Sequence, residues 1–168
     1  MVVLKLIRNS AGKTDYIRNL SRYFFIKKGE PRKDYVTSFG YGVDCFDVDQ
    51  VYSQMVKVQK YFGKTDFNPL LHFVVCYGKN VKTEEKALKL SLRIAEYFQY
   101  QYQILGAIHQ KDWRESKYHL HLMVNAVSYL NGTMVNSWKP YIEDFRKYVM
   151  LVTGQPVYFE AMLYTDDI

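Results

Sequence analysis

The run YHLHLMVNAV, residues 118–127, can bury its apolar side chains together only if it is extended. Side chains of a β-strand alternate faces with period two. Leu120, Leu122 and Val124 then point into a core, while His119, His121, Met123 and Asn125 point the other way. The apolar face accounts for the strand; it does not account for two imidazoles on the opposite face. The preceding run YQILGAIH ends at His109. Paired as an antiparallel hairpin across residues 110–118, the two runs set His109 opposite His119, where facing Cβ atoms are about 4.5–5.5 Å apart. Three of the chain's four histidines then surround one point. Three neutral imidazoles can hold one divalent metal ion and leave positions open for water or substrate oxygens, as a catalytic metal requires.

Other readings of these histidines are weaker. A histidine-triad hydrolase would carry a third alternating histidine, and Met123 stands there instead. His72, inside the apolar run LLHFVVCY, reads as a core histidine or as a support for the other three. Cys45 and Cys76 sit in apolar contexts without CxxC spacing, so free buried thiols are expected rather than a zinc site.

The rest of the chain frames this hairpin. Val2–Ile7 reads as a strand and Lys13–Phe25 as a helix with Ile17, Leu20 and Phe24 on one side. Lys27–Asp34, KKGEPRKD, reads as a charged loop broken by Gly29 and Pro31, followed by a strand over Tyr35–Val43. Helices are predicted over Asp49–Phe62 and Thr83–Phe98, the second with Thr83 as N-cap and Glu84 and Glu85 in the first turn. Leu70–Tyr77 has the length and density of a buried strand. Asn131-Gly132 signals a turn into a short strand near Met134. Ile142–Leu151 reads as an amphipathic helix and Val157–Leu163 as a last strand. The predicted class is α+β: a single antiparallel-rich central sheet with helices packed on its faces. A purely parallel doubly wound sheet is not expected, because too few residues join the strands at 102–109 and 118–127 for a helical crossover.

At 168 residues the chain is one domain's worth and needs no staples. No run of about 18 apolar residues is present, so membrane insertion is not expected. The N-terminus lacks a signal-peptide pattern, which predicts a cytoplasmic protein. The net charge of +6 suggests a polyanionic partner only weakly. Clustering sharpens it: Arg18, Arg22, Lys27, Lys28, Arg32 and Lys33 fall close together and would contact backbone phosphates. Sixteen tyrosines and ten phenylalanines offer rings on which bases of a single strand could stack, although most such rings are core. Trp113 and Trp138 are two candidates for stacking.

Taken together, AIHQKD, HLHLMVNAV, SYLNGTMVN, and LHFVVCYG followed by TEEKALKLSLRIAEYF resemble the HUH endonucleases. Within that superfamily they are closest in pattern to the relaxases of the plasmid Mob type, over roughly residues 16–138. The resemblance implies a relaxase-like sheet with a ferredoxin-like core. It implies a metal-dependent, site-specific single-strand DNA endonuclease and strand transferase that nicks an origin of transfer for mobilisation. In the family a tyrosine attacks the scissile phosphate and stays joined to the 5′-phosphate end, while a metal held by histidines polarises that phosphate. Carried onto this chain, the ligands are His109, His119 and His121, and Asn125 is the asparagine of the extended motif, a supporting residue. The tyrosine is Tyr23, after a short helix and before the charged segment, with Tyr16 as the alternative. Magnesium or manganese is the implied ion. The implied partners are origin-of-transfer single-stranded DNA, accessory relaxosome proteins and a coupling protein. Residues 1–168 would form a single catalytic domain, either excised from a longer relaxase or minimal.

Three alternatives stay open at this point. Rolling-circle replication initiators of the same class often carry their tyrosine on a helix after the histidine pair, and Tyr141 and Tyr148 lie there. A non-catalytic DNA-binding module would use the histidines structurally. An RNA-processing nuclease is a third.

Overall fold

The computed structural model describes residues 1–8, 16–65, 70–111, 116–135 and 139–163. The elements in chain order are β1 (Val2–Arg8), α1 (Tyr16–Phe25), β2 (Ile26–Lys27), β3 (Glu30–Pro31), β4 (Tyr35–Tyr41) and α2 (Val48–Tyr61). They continue with β5 (Leu70–Cys76), α3 (Glu84–Gln99), β6 (Ile104–Gln110), β7 (Tyr118–Asn125), α4 (Lys139–Thr153) and β8 (Val157–Leu163). Six strands form one sheet in the order β4-β6-β7-β5-β1-β8. Every pairing is antiparallel except β1 with β8, which is parallel. The α+β class and the antiparallel-rich sheet are as the sequence predicts.

Side-chain alternation sorts the helices onto two faces. Leu120, Leu122 and Val124 of β7 join a core with Ile94 and Phe98 of α3 and Phe145 of α4. Met123, on the other side of the same strand, packs with Leu105 and Ala107 of β6, Leu20 and Phe24 of α1, and Met55 of α2. β7 is therefore covered on both faces, and its histidines lie on the α1–α2 side.

Local chemistry sets the element ends. Thr83 caps α3 through Lys86 N, at 3.3 Å, as its position in the sequence suggests. Asp47 caps α2, its carboxylate accepting from the amides of Asp49 and Gln50. α4 ends where Gly154, at φ +64°, turns its amide onto the Met150 carbonyl at 2.9 Å.

Three expectations need correction. The segment 27–34 is not simply a loop. β2 and β3 pair Ile26 with Pro31 and Lys27 with Glu30, closed by Lys28-Gly29 with φ of 53° and 81°. Two consecutive positive φ values are the signature of a type I′ hairpin turn, which a Lys-Gly pair does not advertise. The short strand near Met134 is a single antiparallel bridge to Val127. The two cysteines are free but half-buried rather than buried. Lys13, predicted as the start of the first helix, lies outside the described residues.

Gly106 of β6 lets the Phe39 ring of β4 lie over its backbone, because a Cβ built there falls on that ring. Alanine gains about 0.5–1 kcal/mol in backbone entropy over glycine, whereas overpacking costs about 1–3 kcal/mol. Gly106→Ala is expected to lower the urea midpoint by a net loss of about 1–2 kcal/mol. An unchanged midpoint would contradict this packing.

Candidate active site

The hairpin of β6 and β7 places His109 directly opposite His119, with Ala107 opposite His121. The ring centroids of His109 and His119 are 5.5 Å apart, those of His109 and His121 4.7 Å, and those of His119 and His121 5.1 Å. One nitrogen from each ring lies within 4.8 Å of the other two, so the three could hold a metal ion.

Hydrogen bonds orient the rings. His109 Nε2 lies 2.8 Å from the Phe24 carbonyl oxygen. A carbonyl only accepts, so Nε2 carries the hydrogen and Nδ1 keeps the lone pair. That Nδ1 is buried and has no hydrogen-bond partner, as expected of an atom built to meet a cation. His121 Nδ1 lies 3.1 Å from His72 Nε2, which leaves His121 Nε2 for a metal. His72 on β5 thus supports the trio and is not one of it.

Burial holds all four rings neutral. Desolvation is the largest cause in each case, pushing His109 down to about 4, His119 to about 3 and His72 to about 3, and His121 well below its ordinary 6.5. Neutral imidazoles present lone pairs without having to shed a proton first.

Tyr23, in the last turn of α1, packs edge-on against His121 with ring centroids 5.5 Å apart. Tyr23, Arg32, Lys111, His119 and His121 line a common cavity of about 150 Å³, room for a phosphate group but not for a nucleoside. Tyr16 is buried two helical turns away in the core formed with α2, about 10 Å along the helix axis. Tyr35 is a tyrosine near the histidines that sequence reasoning missed. It pairs with His109 in the sheet register, but its hydroxyl lies 2.9 Å from Ser38 Oγ. Tyr141 and Tyr148 pack on the α3–α4 core, across the sheet from the histidines.

The family model for relaxases, described as MobA/VirD2-like, nuclease domain, matches residues 23–153. The chain belongs to this relaxase family. No curated protein matches it closely enough to add a relative. The match begins at Tyr23 and contains all three histidines of the cluster. Membership supports a DNA-nicking enzyme, and no helix among the described residues is long and apolar enough to cross a membrane.

Other predicted residues of this relaxase domain fall elsewhere. Asn125 shares the histidines' face but ties α2 to the sheet. Its side chain accepts from Gln59 at 3.0 Å and donates to the Met55 carbonyl at 3.2 Å and to Gln103 at 2.9 Å. It is four positions along the strand from His121, about 13 Å away, and its bonds lie with α2 and Gln103 rather than with the histidines. Arg22, Lys27, Lys28 and Lys33 are exposed. Arg18 pairs with Asp49 at 3.5 Å and stacks over Tyr52 at 4.3 Å. Arg32, expected on the surface with them, is buried instead. Trp113 and Trp138 lie outside the described residues.

Two outcomes are expected. The histidines have lower pKa values folded than unfolded, so between about pH 6.5 and pH 4 the unfolded chain binds more protons. Metal-free protein should therefore lose stability as pH falls through that window; a flat urea midpoint would contradict the burial. Asn125→Ala removes hydrogen bonds to Gln59, Gln103 and the Met55 carbonyl, each worth about 0.5–1.5 kcal/mol. It should lower the melting temperature by several degrees, and an unchanged melt would remove Asn125 from the fold's supports.

Proposed function

We propose that this relaxase domain nicks single-stranded DNA at an origin of transfer through a covalent phosphotyrosine formed on Tyr23. One observation carries the reading: Tyr23 lies against His121 and lines one cavity with His119. Residues 1–168 act as a single catalytic domain, and His109, His119 and His121 hold one magnesium or manganese ion. When bound, such an ion offsets negative charge on the nonbridging phosphate oxygens, worth on the order of several kcal/mol.

The chain's own residues do the rest. The Tyr23 phenolic oxygen forms a bond to phosphorus, and the bond from phosphorus to the 3′ oxygen breaks. The phenol gives up its proton, and the departing 3′ oxygen takes one to become a hydroxyl. One phosphoester replaces another, so the step runs backward as readily and the strand can be rejoined. Phenol, with an ordinary pKa of about 10, is a good leaving group for that return. The Phe24 carbonyl and His72 hold the rings of His109 and His121 in orientation. The exposed cations Arg22, Lys27, Lys28 and Lys33 suit the DNA backbone and predict salt-sensitive binding.

The replication-initiator reading is disfavoured because Tyr141 and Tyr148 pack on the far side of the sheet. The test is incubation with a single-stranded oligonucleotide library and manganese, then denaturing electrophoresis for a protein–DNA adduct. Tyr23→Phe is expected to abolish the adduct and retain oligonucleotide binding, whereas Tyr16→Phe retains both. An adduct that persists in Tyr23→Phe would overturn the assignment, and binding without any adduct in the unaltered protein would favour a non-catalytic module.

A further inference from the structure

Arg32 sits in the turn that leads from β3 to β4, among charges that are otherwise exposed, yet its side chain is only 1% exposed. Taking a guanidinium out of water costs several kcal/mol even when it is well paired, so a contact made at the surface would not require it. The pairing is specific. Nε and Nη2 donate to the two carboxylate oxygens of Asp34 at 2.9 and 2.8 Å, and Nη1 donates to the Tyr23 carbonyl at 3.1 Å. The Arg32 hydrogen bond holds the Asp34 carboxyl down at about 2, so Asp34 stays ionised.

A guanidinium has five N–H groups. Two go to Asp34 and one to the Tyr23 carbonyl, and the guanidinium also interacts with the Tyr23 side chain. The guanidinium carbon lies 4.6 Å from the Tyr23 ring centroid, and Arg32 lines the same cavity as His119 and His121. Lys111 lies on the same cavity wall.

We infer that Arg32 is a catalytic residue that binds the phosphate joined to Tyr23, its guanidinium meeting oxygens of that phosphate in the cavity it shares with Tyr23, His119 and His121. This rests on the Tyr23 reading and adds the group that recognises the anion. Asp34 positions the guanidinium fork, and the bond to the Tyr23 carbonyl fixes the fork relative to the nucleophile's own backbone.

The experiment has two arms. In the first, inorganic phosphate is titrated into metal-free protein and followed by the NMR shifts of the His119 and Tyr23 amides. Arg32→Ala is expected to weaken phosphate binding at least tenfold, and Lys147→Ala, at an exposed position of α4, to leave it unchanged. In the second, adduct formation with an oligonucleotide should fall at least a hundredfold in Arg32→Ala. Methylguanidinium should restore part of it, and sodium chloride at equal ionic strength should not. Should Arg32→Ala fail to fold, the double variant Arg32→Ala with Asp34→Ala removes both charges and carries the same expectations. Phosphate affinity and adduct rate unchanged in a folded variant would overturn the inference, as would loss that methylguanidinium does not rescue. An unaltered protein that binds phosphate through Arg32 but forms no adduct would contradict the Tyr23 reading alone.

Discussion

The site depends on the antiparallel register of β6 on β7. That register sets His109 against His119, brings His121 alongside, and gives the other face of β7 to Leu120, Leu122 and Val124. Because side chains alternate with period two, a slip of one residue would turn the imidazoles into the α3–α4 core and the leucines outward. Core packing and cluster assembly are thus one constraint. The sequence cannot satisfy the first without the second, which is why buried His109 and His121 and half-buried His119 persist beside an apolar layer despite their desolvation.

The end of α1 links that cluster to Tyr23, the proposed nucleophile. Tyr23 and Phe24 are adjacent in the last turn: one packs its ring on His121, and the other accepts a hydrogen bond from His109 through its carbonyl. Arg32 closes the arrangement from the far side of the β2–β3 hairpin by donating to the Tyr23 carbonyl. Histidines, tyrosine and guanidinium therefore share a frame of backbone contacts rather than meeting through free side chains. A frame of this kind suits the proposed transesterification, in which the reacting groups would keep their places after the strand is cut.

Much of this was legible in the sequence, for reasons that can be named. The alternation in HLHLMVNAV fixes both faces of a strand, and a short connection fixes antiparallel pairing, so the histidine cluster could be read without coordinates. Helix α3 was legible from Thr83 and its apolar stripe. The parallel docking of β8 on β1 was not, because nothing local specifies which edge a terminal strand will join. The burial of Arg32 was not legible, because a cation in a charged run looks solvated; its burial depends on Asp34 and on the end of α1. The partners of Asn125 were not legible for a related reason. Period two gives the correct face, but distance along the strand and the presence of Gln59 and Gln103 decide what the amide touches.

The central claim is that imidazoles from two adjacent strands converge on one cation. Its most direct test is calorimetric titration of manganese into protein stripped of metal, at neutral pH, beside His121→Ala. The account predicts one saturable ion per chain in the unaltered protein and at least a hundredfold weaker binding in the variant. No saturable binding, or equal affinity in the two proteins, would contradict it.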